Sequence, residues 1–158
     1  MAVNTSTGFE AASLGPSAFE QIFRYGCIEV RSGPQPASAD MAATGILLAR
    51  ITRDGLAWTP GQIDGGLEFA RSGRYAMKAS NHVWRLKGIA TGVAGWCRLV
   101  GNAEDDGLVS TFLPRIDGLV NTPDFVGDVQ LIISNLNITA ATDLNISNWW
   151  FARPPLSN

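Results

Sequence analysis

The feature that most constrains this chain is a change of hydrophobic period at Gly26. Before it, Phe19, Ile22 and Phe23 recur at i, i+3 and i+4, one apolar stripe of a short helix. After it, Ile28 and Val30 alternate with Cys27, Glu29 and Arg31, the period of a half-buried strand. The spacing of Ser17 and Glu20 predicts a capping box at the helix start, and Gly26 is placed to take a left-handed stop conformation. Ser32-Gly33-Pro34 ends the strand. The connection PQPASADMAATG holds two prolines unfit for a central ladder and allows one helical turn over residues 39–43, closed by Gly45. Residues 46–52 then resume as a strand. Its run ILLARI is apolar on both faces, as in a strand covered on both sides or lying at a subunit contact.

The same period recurs downstream. Leu67 and Phe69 suggest a brief strand, and residues 83–91 a clearer one, with Trp84 and Leu86 on the core face and Arg85 and Lys87 opposite. Further strands are expected at residues 75–79, 96–100 and 135–141, and at 108–116, where Leu108, Phe112 and Ile116 are in phase and Pro114 implies an edge or bulge. Val129, Leu131 and Ile133 share a face, and residues 144–151 form the last run before Pro154-Pro155. Many short strands, one early helix and no βαβ alternation point to an all-β, antiparallel β-sandwich, jelly-roll-like, with one short N-terminal helix. An extended N-terminal arm (1–15), a single sandwich domain (16–153) and a C-terminal tail (154–158) are expected.

Charged residues are 16% of the 158, below the roughly 25% usual in soluble domains, which suggests a surface partly covered by other subunits; a β-rich domain with many uncharged polar turns accounts for it equally. A net charge of −2 with scattered Lys and Arg argues against nucleic acid. No apolar run has the length of a membrane span, and the first residues lack the form of a signal peptide, so synthesis in the cytosol is expected and the three Asn sequons carry no weight. Cys27 and Cys97 have no C-x-x-C companion and read as buried free thiols.

Chemistry is sparse. His82, the only histidine, sits in a turn without a nucleophile elbow elsewhere. Glu104, Asp105 and Asp106 lack the alternating spacing of a calcium loop and read as a solvated turn, and nothing selects a carboxylate pair from Asp117, Asp124 and Asp128. No catalytic residue, metal or cofactor is expected. Trp84 and Trp96 read as core. Adjacent strand residues face opposite ways, so if Trp150 is internal, Trp149 and Phe151 need another cover: the arm, a partner or a ligand. Val3, Phe9 and Leu14 are spaced like anchors on the arm. These five, Val3, Phe9, Leu14, Trp149 and Phe151, are the expected interface residues.

IFRYG, IEVRSGPQPASAD, AATG, LLARIT and DG, with the later AGWCRLVGNA, PRIDGLVNT and GDVQLIISN, resemble a family of small structural proteins of tailed bacteriophages. The likeness extends from about Phe19 to Ile133 and is nearest to head decoration, or cement, proteins. It implies a virion protein on the outer surface of the capsid, made in the host cytoplasm. Its implied partners are the major capsid protein and further copies of itself, without nucleic acid or membrane. A tail, baseplate or fibre component and a carbohydrate-binding β-sandwich module are the alternatives.

Overall fold

The structure, a computed structural model, describes residues 3–124 and 130–152. In chain order the first elements are β1 (Asn4–Thr5), α1 (Thr7–Leu14), α2 (Phe19–Ile22), β2 (Cys27–Ser32) and β3 (Leu47–Arg53). Next come β4 (Phe69–Ser72), β5 (Tyr75–Lys78), β6 (Trp84–Gly88), β7 (Gly92–Val100) and β8 (Arg115–Asn121). The chain closes with β9 (Leu131–Ile132), β10 (Asn137–Ile138), β11 (Asp143–Ile146) and β12 (Trp150–Ala152). Among the described residues these make an all-β, mainly antiparallel sandwich of two unequal layers. The large sheet runs β1-β8-β7-β2-β3-β6-β11, with β10 on β7 and β9 parallel to β8, and the small sheet runs β12-β5-β4.

The register explains the core. Residues paired across strands share a face, so Ile28 and Val30 line up with Ile51 and Ala49 on one side and with Leu99 and Cys97 on the other, all buried. Leu86, opposite Ile51, and Ile116, opposite Leu99, extend this face. Over it lie the small sheet and the two helices, contributing an aromatic cluster. Phe9 meets Phe23 at 5.4 Å between ring centroids, Phe19 stacks on Phe151 at 5.4 Å, and Phe69 meets Trp84 and Trp149 edge-on at 5.2 and 5.4 Å. Such pairs add about 0.5–1.5 kcal/mol each beyond the area they bury.

Several expectations are corrected. The N-terminal segment is not extended beyond β1: Ser6 Oγ accepts from the Phe9 N–H at 3.1 Å and caps α1, whose Phe9 enters the aromatic cluster. The helical signal at residues 17–26 yields only the four residues of α2. Its N-cap is Ala18 rather than Ser17, and Gln21 Oε1, not Glu20, accepts the Ala18 N–H at 3.0 Å. The left-handed residue is Tyr25, with φ of 61°. Gly26 is needed for closeness instead, because a Cβ there would collide with the Val100 carbonyl. The run at 144–151 is not one strand. It breaks after Ile146, so β11 edges the large sheet beside β6 while β12 joins β5 in the small one. Residues 108–113 form no strand, and only from Arg115 does β8 begin. Val129 and the tail 154–158 lie outside the described residues.

Candidate docking surface

The second face of the large sheet is charged. One register row crosses it as Asp117, Arg98, Glu29, Arg50, Lys87 and Asp143, from β8 to β11. At the β11 end the row is open to solvent, where Asp143 takes Lys87 Nζ at 2.6 Å and Arg85 Nη2 at 2.7 Å, which holds its carboxyl below the usual range. At the β8 end it is sealed. Arg98 and Asp117, both fully buried, form a two-point pair, Nε to Oδ1 at 2.7 Å and Nη2 to Oδ2 at 2.8 Å. Burial pushes the Asp117 carboxyl up, opposed by the Arg98 hydrogen bonds and by Arg115.

Two loop segments, residues 36–45 and 104–113, form a strap that provides the seal. They are joined to each other by Ala43 N–H to Gly107 O at 2.8 Å and Ser110 N–H to Asp40 O at 2.9 Å. Each is tied to the sheet through an arginine. Arg98 Nη2 donates to Met41 O at 3.1 Å, and the buried Arg115 grips Asp105 through Nε and Nη2 at 2.7 and 2.6 Å. Asp105 is therefore no solvated turn residue. The N-terminal segment clamps the strap from the side: Asn4 Nδ2 donates to Pro36 O at 3.1 Å, Thr7 N–H to Asp40 Oδ1 at 2.8 Å and Ser6 Oγ to Leu113 O at 2.9 Å. Gly8 must be glycine here, since a Cβ would run into the Phe112 and Leu113 carbonyls. Trp96 is buried as expected, but on this charged face, with the Arg98 guanidinium 5.3 Å from its ring centroid.

Held this way, the strap turns its apolar side chains outward. Phe112 is 89% exposed, Val109 73%, Leu108 62% and Met41 49%. Sequence phase placed Leu108 and Phe112 with Ile116 in a strand, and only Ile116 is buried. Four large apolar groups thus stand exposed on two hydrogen-bonded segments, which are held to the sheet by the Arg98 hydrogen bond to the Met41 carbonyl and by the buried Arg115–Asp105 ion pair.

The expected interface residues are distributed otherwise. Phe9, Trp149 and Phe151 are 3%, 3% and 5% exposed and meet one another's neighbours inside the chain, so they are core residues and cannot anchor a partner without opening the fold. Val3 is half-buried against the core, and Leu14, 86% exposed, stands at the C-terminal end of α1. Trp150 is the residue of its run that faces out, near Tyr75 with ring centroids 6.2 Å apart. His82 Nε2 lies 3.3 Å from Glu68 Oε2, which also pairs with Arg24 at 3.3 Å through its other oxygen. Among the described residues no group of three or more His, Cys, Asp or Glu side chains could hold a metal ion, and no helix is long and apolar enough to cross a membrane. Comparison with known families, with curated proteins and with solved structures finds no match to this chain.

Proposed function

We propose that this chain is a structural protein of a tailed-bacteriophage virion, attached to the head shell as a decoration protein through the strap. The observation that carries the reading is the strap: Met41, Leu108, Val109 and Phe112 stand exposed on segments held by the Arg98–Met41 carbonyl hydrogen bond and the Arg115–Asp105 pair. The resemblance over residues 19–133 supplies the partner, the major capsid protein. Aromatic anchors at well-packed interfaces account for about 2 kcal/mol or more on truncation, roughly thirtyfold in affinity. Phe112→Ser with Val109→Ser is therefore expected to lower occupancy of purified shells, at limiting concentration, in a sedimentation assay. Undiminished occupancy would refute the strap as the contact. Quantitative mass spectrometry of virions separates head from tail: a tail, baseplate or fibre protein is present in far fewer copies than the shell subunit.

One observation favours a carbohydrate-binding module as the second reading. Tyr75 and Trp150, T-shaped to each other with ring planes at 69°, are both exposed on the outer side of the small sheet and offer two separate ring faces for sugar stacking. A glycan array with the parent protein and with Trp150→Ala decides it, since specific binding lost in the variant is required.

A further inference from the structure

Beneath the strap, the charged face carries buried donors that nothing among the described residues accepts. Arg31 stands beside Trp96 across the β2–β7 pairing, and Glu29 beside Arg98 on β7 and Arg50 on β3. Trp96 and Arg98 are two positions apart on one strand, as are Glu29 and Arg31, so the five make one block on one face. Within it Trp96 Nε1, Arg98 Nη1 and Arg31 Nε are buried, and none has a hydrogen-bond partner among the described residues. The strap closes over them. Arg98 donates to Met41 O through its other Nη, and a Cβ on Gly107 would lie 3.8 Å from Arg31 Nη2. Residues 33–36 run from Gly95, where a Cβ would strike the Gly33 carbonyl, to Asn4, which bonds the Pro36 carbonyl, and so pass the Trp96 end of the block. Gln35, in that crossing, has a buried amide with neither atom bonded.

Indole and guanidinium nitrogens donate and never accept. The carboxylates of the block are committed: Asp117 takes two hydrogen bonds from Arg98, and Glu29 lies 3.7 Å from both Arg31 Nη2 and Arg50 Nη2, between two guanidiniums. Three arginines thus stand against two acids, which leaves one positive charge in excess. A water molecule placed among these donors would accept from them but would bring no charge to offset that excess. An anion does both, and buried donors of this kind are strongest toward charged acceptors.

We propose that a small monovalent anion of halide size binds beneath the strap, accepting from Trp96 Nε1, Arg98 Nη1 and Arg31 Nε. The site is on the sheet side of the strap, so it stands or falls apart from whatever meets the outer apolar groups. The test uses the full chain, with sodium chloride replacing sodium gluconate at constant ionic strength, so that general screening is held fixed. Of the five indole N–H resonances, that of Trp96, assigned by its loss in Trp96→Phe, is expected to shift saturably while the other four stay in place. Above the dissociation constant the urea midpoint should rise with the logarithm of chloride concentration. Arg31→Gln, which removes a charge and a donor, should weaken binding about tenfold or more. Crystals of the unaltered chain grown in sodium bromide should show an anomalous peak within hydrogen-bonding distance of Trp96 Nε1, a result that needs no variant to fold. A Trp96 indole that does not move or moves linearly, five indoles that move together, or undiminished binding by Arg31→Gln would each overturn the proposal. Bromide peaks only elsewhere, with ordinary water at Trp96 Nε1, would overturn it as well.

Discussion

At the scale of single residues, the buried Arg98–Asp117 pair is the most consequential feature outside the aromatic core. Removing one member of such a pair leaves an uncompensated buried charge, which costs about 3–5 kcal/mol, whereas replacing both with apolar residues is often neutral or stabilising. Asp117→Asn is expected to show the first effect in urea denaturation, and Arg98→Met with Asp117→Leu to recover most of it. The two ends of the charged row also titrate with opposite sign. Asp117 sits above the ordinary value of 3.8, so the folded state keeps its proton longer than the unfolded state does. Its contribution makes stability fall as pH rises from 3.8 through the folded value, and is constant beyond. Asp143 is held below 3.8, so its stabilisation is present above that pH and is lost as pH falls through the lowered value. Denaturation curves across the acid range should therefore lose the falling limb in Asp117→Asn and show a shallower acid limb in Asp143→Asn.

At the scale of elements, α1 and the strap make opposite use of phenylalanine. Phe9, on α1, is interior, and its replacement by Ala is expected to cost about 3–5 kcal/mol, as is Phe23→Ala. Deleting residues 1–14 should thus lower the melting temperature strongly, because it removes a core ring and the clamp on the strap together. Phe112, on the strap, is exposed, and Phe112→Ser should change stability by only about 0.5 kcal/mol or less. Thermal unfolding of the two variants side by side checks the contrast. A large loss for Phe112→Ser would mean that the ring is covered within the chain.

At the scale of the whole molecule, the two thiols report on the large sheet. Cys27 and Cys97 occupy the adjacent central strands β2 and β7, but out of register, Cys27 being opposite Val100 and Cys97 opposite Val30, and they point to opposite faces. Both are free and buried, and burial pushes both far above the usual thiol range. Neither can form a thiolate without the sheet opening. Labelling by a disulfide reagent is expected to be slow for both and to follow the same denaturant dependence as global unfolding. Rapid labelling of Cys27 alone would show that the strap face opens independently of the core.

What the sequence determined by itself is local. Alternation of side chains is set by the backbone of each strand, so β2, β3, β6 and β7 and the inward direction of Trp84 and Leu86 follow from the order of residues. Alternation says which residues share a face and is silent on which face will be covered. That was decided by pairing over long separations. Asp105 becomes interior because Arg115, ten positions on, reaches it beneath the strap, and Phe112 is left outside because residues 40–43 hold its segment off the sheet. The run from Leu144 to Phe151 shows the same limit. Read as one strand it assigns Trp149 to the outside; broken between β6 and β5 as pairing partners, it turns Trp149 and Phe151 into the core and leaves Trp150 in solvent. The N-terminal helix was faintly written, in the Ser6 cap, Glu10 in the first turn and two alanines after it, but only the aromatic cluster made it stable, since eight residues do not hold a helix alone in water.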